Sequence, residues 1–187
     1  QNEKLKETYP EVIVINSGIG GNTILDARAR LQEDALEYAP DLVVLNFGLN
    51  DGRITIDDSQ PVEEVSELET GISQADFKNN YEAIIKDIQN SDSEIIIMGT
   101  NTVINTVKWQ ETDITEIQTE KYILFNTILE DLASSYKIEY IDLWSAFSRP
   151  PGPGIYLQQD GIHPKEDGLE LISELVEEKI MYMSDSF

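Results

Sequence analysis

Glu11-Val12-Ile13-Val14-Ile15-Asn16-Ser17-Gly18-Ile19-Gly20-Gly21-Asn22-Thr23 sets a β-branched apolar run against a glycine-rich turn. Four consecutive apolar residues suit a strand buried on both faces, as in a parallel sheet. The turn then opens into a helical pattern over 24–38, which Pro40 ends. The same alternation continues along the chain. Strands are expected over 41–47 (Leu42-Val43-Val44-Leu45), 94–99 (Ile95-Ile96-Ile97-Met98) and 138–143. Helices are expected over 75–90, 116–136 and 167–183, the first with Phe77, Tyr81, Ile84, Ile85 and Ile88 on one face. Residues 48–74 read as a long loop, acidic from Asp57 to Glu69, and 145–159 as an irregular stretch around Pro150-Pro151-Gly152-Pro153-Gly154. Strands alternating with helices imply an α/β fold, a three-layer α/β/α sandwich on a parallel sheet. With no repeat and no dividing linker, residues 1–187 read as one domain.

Composition narrows the partners. Thirty-six acidic residues face thirteen basic ones, for a formal net charge of -23. Nucleic-acid affinity rests on Lys and Arg neutralising phosphates, so no nucleic-acid partner is expected, nor an anionic membrane surface. The chain has no cysteine, which removes disulfides, thiolate catalysis and Cys-based zinc sites. No apolar run is long enough to span a bilayer. The compartment stays open between bacterial cytoplasm and secretion, and the oligomeric state is not legible. One histidine and no cysteine leave only carboxylates as metal ligands. The cluster Asp57, Asp58, Glu63, Glu64, Glu67 and Glu69 reads as a solvated loop and not as a metal site, and no cofactor is expected.

In open α/β sheets, ligands bind beyond the carboxyl ends of the strands. Three motifs fall there: Asn16 to Thr23, Gly48-Leu49-Asn50-Asp51, and Asp160-Gly161-Ile162-His163 ahead of Pro164. A carboxylate three residues before an imidazole can bend back onto the ring. It then fixes the tautomer and supports the imidazolium formed when the other nitrogen takes a proton. Asn50 offers a carboxamide donor at a strand end, and Gly21 a main-chain N–H at a helix start, where donors are unpaired. Taken singly, each motif is an ordinary turn or cap. Gly18-Ile19-Gly20 begins a dinucleotide fingerprint, but Thr23 stands where its last glycine belongs. Trp109, Trp144 and Tyr156 are candidates to line a cleft, although core packing accounts for them equally well.

The ordered set resembles the SGNH, or GDSL-type, hydrolase family over nearly the whole chain. The resemblance implies a flavodoxin-like α/β/α fold. It implies Gly21 (N–H) and Asn50 (side chain) in an oxyanion hole. It implies Asp160 and His163 as two members of a triad, with His163 as general base and then general acid. Asp51 matches a structural position. The substrate implied is a small-molecule carboxylic ester. The family's Gly-Asp-Ser nucleophile block has no match before Glu11. A strand, turn, helix and loop need about 25 residues, and ten precede Glu11. The serine is therefore expected on an N-terminal segment outside these residues. Ser17, Ser145 and Ser148 are weak substitutes. The alternative reading is a non-catalytic fragment or ligand-binding protein that keeps the fold.

Overall fold

The computed structural model describes residues 9–54, 72–104, 108–109 and 112–184. In chain order these form α1 (Ile24–Asp34), β1 (Leu42–Leu45), α2 (Gln74–Gln89), β2 (Glu94–Met98), β3 (Lys108–Trp109), β4 (Thr112–Asp113), α3 (Thr115–Tyr136), β5 (Glu139–Ile141), α4 (Leu143–Ser148) and α5 (Glu166–Ser184). β1, β2 and β5 make a parallel sheet in the order β1-β2-β5, with Val43 opposite Ile95 and Ile97 opposite Tyr140. β3 and β4 pair as a short antiparallel ribbon.

Alternation along β2 builds the layers. Ile95 and Ile97 point into a core shared with α1, α2 and α3, whereas Ile96 faces Ile141, Leu143 and the apolar side of α5. Successive strand side chains leave opposite faces, so one strand serves both layers. The expected three-layer α/β/α arrangement is thus present. On α2, Phe77, Tyr81, Ile84, Ile85 and Ile88 are all fully buried. The Phe77 ring stacks on Phe125 of α3 at 4.2 Å and meets Tyr81 edge-on at 5.2 Å. Each such side chain contributes about 1.5–3 kcal/mol by leaving water. α2 starts at Ser73, whose Oγ accepts the Asp76 N–H at 3.0 Å.

Three local expectations are corrected. Residues 12–16 form no strand, and Ile13 is 84% exposed. A β-branched run becomes a strand only when a neighbour completes its ladder. Among the described residues β1 is itself paired on one edge alone, to β2. The helix expected over 24–38 ends at Asp34 and tightens into a single turn at Leu36–Tyr38. The stretch after 144 is partly helical, because the Asp142 carboxylate accepts the Ser145 N–H at 2.9 Å and caps α4. The acidic stretch from Asp57 to Glu69 lies outside the described residues, as does the Trp109 side chain.

Candidate active site

The Asp160–His163 loop closes on itself before α5. Gln158 N–H donates to the His163 carbonyl at 2.8 Å, Gly161 N–H to the Gln158 carbonyl at 2.9 Å, and Lys165 N–H to the Tyr156 carbonyl at 2.9 Å. Gly161 turns the chain at φ 69°, in the left-handed region that glycine enters without strain. Inside this turn Asp160 Oδ2 lies 2.6 Å from His163 Nδ1. Oδ1 accepts the N–H of Ile162 at 2.9 Å and of His163 at 3.0 Å. The imidazole partner, helped by these two main-chain donors, lowers the Asp160 carboxyl to about 2. The carboxylate is therefore charged at neutral pH and can only accept, which favours the ring tautomer that carries its proton on Nδ1. That tautomer leaves Nε2 as the acceptor. The His163 side chain is 68% exposed.

The other two motifs are tied together at the carboxyl end of β1. Asp51, 1% exposed, accepts the Ile24 N–H at 2.7 Å with Oδ1 and the Gly48 N–H at 3.0 Å with Oδ2. Burial pushes its carboxyl up, against the pull of those donors. Asn50 Nδ2 donates to the Asn22 carbonyl at 3.0 Å, which sets its carboxamide directly against the glycine turn. Gly21 lies in that turn at φ 84° with no atom within 4 Å of where a Cβ would stand. Arg30 braces the turn from α1, donating to the Ser17 carbonyl at 2.7 Å and to Asn22 Oδ1 at 3.0 Å. Asn50 and Gly21 thus occupy adjoining loops, and both residues are exposed.

A third loop, 99–104, links these halves and was not singled out from sequence. Asn46 Nδ2, just past β1, donates to the Met98 and Gly99 carbonyls. Asn101 Nδ2 donates to the Ile162 carbonyl, and Ile104 N–H to the Gly161 carbonyl. The signal available was Gly99-Thr100-Asn101-Thr102 at the end of a buried strand. Two of the internal serines are engaged elsewhere. Ser17 Oγ donates to the Asp34 carbonyl, and Ser148 Oγ to that of Trp144. Tyr156 packs its ring on Phe147.

The chain matches the model of the GDSL-like lipase/acylhydrolase family over residues 1–171. It is 23% identical to an arylesterase of Vibrio mimicus over 181 residues, covering 96% of this chain and 75% of that protein. It is 45% identical to an acetylxylan esterase of Geobacillus stearothermophilus over 49 residues, covering 25% of this chain and 22% of that protein. The fold is similar to that of a lipase/acylhydrolase from Enterococcus faecalis, with a TM-score of 0.74 and 24% identity over 95% of this chain and 81% of that one. With the loops at the strand ends arranged as they are, the chain belongs to the GDSL-like lipase/acylhydrolase family.

Proposed function

We propose that residues 1–187 carry the acid–base and oxyanion parts of a serine carboxylic-ester hydrolase. The observation that carries this reading is the 2.6 Å contact of Asp160 Oδ2 with His163 Nδ1, on a side chain that is 68% exposed. In the first half-reaction a serine Oγ attacks the ester carbonyl carbon while Nε2 of His163 takes its proton. The carbonyl oxygen becomes an oxyanion facing the Gly21 N–H and the Asn50 carboxamide. Collapse breaks the bond to the alcohol, which leaves with the proton from Nε2. Water then attacks the acyl-serine, Nε2 again takes the proton and returns it to the serine, and the acid departs.

The serine is proposed to sit at the carboxyl end of a strand paired on the edge of β1 that has no partner among the described residues. Two features support this. Val44 on β1 is 39% exposed, and Ile13, Val14 and Ile15 are 48–84% exposed. An added strand would complete the ladder of β1 and give residues 12–16 a neighbour. The glycine and Asn50 loops follow those two segments, which would place a serine at the new strand's end beside them.

The substrate is proposed to be a small ester. Acetyl esters come first, given relatives named as acetylxylan and aryl esterases. The test is turnover of 4-nitrophenyl acetate and acetylated xylo-oligosaccharides by the full-length protein and its His163→Ala variant. Turnover that falls by three orders of magnitude or more in the variant supports the reading. Equal turnover by the two proteins overturns it.

A further inference from the structure

We infer that Asn101 is a positioning residue for the Asp160–His163 pair; the inference rests on the hydrolase reading only for its kinetic consequence. Asn101 follows β2 and is 8% exposed. Its Nδ2 donates to the Thr102 carbonyl and to the Ile162 carbonyl, each at 3.0 Å. A buried amide with both N–H bonds engaged is held in one orientation.

What it holds is the peptide between Ile162 and His163. The C=O of that peptide accepts from Asn101, and its N–H donates to Asp160 Oδ1. The preceding peptide is gripped in the same way. Its Gly161 C=O accepts the Ile104 N–H at 2.8 Å, and its Ile162 N–H donates to the same Oδ1. Two successive peptide groups are thus clamped between the 99–104 loop and the Asp160 carboxylate. Donation to each C=O polarises the peptide and strengthens its N–H as a donor. Both strengthened donors converge on Oδ1. That commits Oδ1 to the main chain, turns Oδ2 toward His163 Nδ1, and thereby sets the tautomer of an exposed ring that has no other hydrogen-bond partner among the described residues. Both Asn101 Nδ2 hydrogen bonds go to main-chain carbonyls and neither to the imidazole or the carboxylate, so Asn101 acts through the peptide between them.

The test uses the fact that His163 is the chain's one histidine, so its ring gives a single set of two-bond proton–nitrogen correlations. At a pH where the imidazole is neutral, the wild type should show the pattern of a ring protonated on Nδ1. Asn101→Leu keeps the buried volume and removes the donor. It should give a mixture in which the Nε2-protonated form is populated, as Asp160→Asn should. In the full-length enzyme kcat should fall about 10- to 100-fold with KM unchanged. An unchanged ring pattern in folded Asn101→Leu overturns the inference. Should Leu prevent folding, Asn101→Ser, whose hydroxyl is too short to reach the Ile162 carbonyl, decides in the same terms. The nitrogen spectrum does not depend on turnover. A shifted pattern in a protein that hydrolyses no ester would sink the hydrolase reading and leave the positioning role standing.

Discussion

Asp51 reaches back 27 residues to accept the main-chain N–H of Ile24 at 2.7 Å. Its second oxygen takes the Gly48 N–H, so one buried carboxylate joins the start of α1 to the end of β1. The glycine turn and the Asn50 loop are held in register by this bond. A residue that matches a merely structural motif position therefore sets the geometry of both candidate oxyanion donors.

Asp51→Ala should lower unfolding stability by about 2–4 kcal/mol, because two buried N–H groups lose their acceptor. Urea unfolding followed by far-UV circular dichroism measures it. A loss below about 0.5 kcal/mol would mean that water or a shifted backbone replaces the carboxylate.

Asn50 is exposed, outside the core, and its carboxamide is proposed to meet the oxyanion. Asn50→Ala in the full-length enzyme should leave the unfolding midpoint nearly unchanged. It should reduce kcat about 100- to 1000-fold with little change in KM, the signature of a donor that acts on the transition state. A rise in KM alone would move Asn50 from charge stabilisation to substrate binding.

Asp160 has its carboxyl lowered to about 2 in the folded state, first through the imidazole and then through the two main-chain donors. A depressed carboxyl stabilises the fold above its ordinary value near 3.8, and that contribution is lost as pH falls toward 2. The urea midpoint should therefore drop between about pH 4 and pH 2 more steeply in the wild type than in Asp160→Asn. Parallel profiles would show that the carboxylate carries no folded-state preference for its charged form.

How much of this was legible depends on the range of the interaction. Leu42–Leu45 and Glu94–Met98 announce themselves as strands because four apolar residues in a row have few other places to go. Asp160 and His163 were legible because they lie three residues apart and a glycine turn brings them together. Val12–Ile15 look like a strand by the same composition, yet strandhood needs a partner edge, which local sequence does not encode. Asn101 was not legible at all. Asparagine after a strand is an ordinary turn residue, and the carbonyl it grips is 61 residues away. The short helix Leu143–Ser148 was hidden for a related reason, since six residues carry too little periodicity to outweigh the prolines that follow.

The Asp160–His163 pair is proposed to activate a serine that becomes acylated. Intact mass and peptide mapping of the full-length protein after treatment with a fluorophosphonate locate that serine. One adduct is expected, on a serine in a Gly-Asp-Ser turn at the end of a strand neighbouring β1, and almost none in His163→Ala. No adduct on a protein that still hydrolyses acetyl esters would contradict it, as would an adduct on Ser17, Ser145 or Ser148.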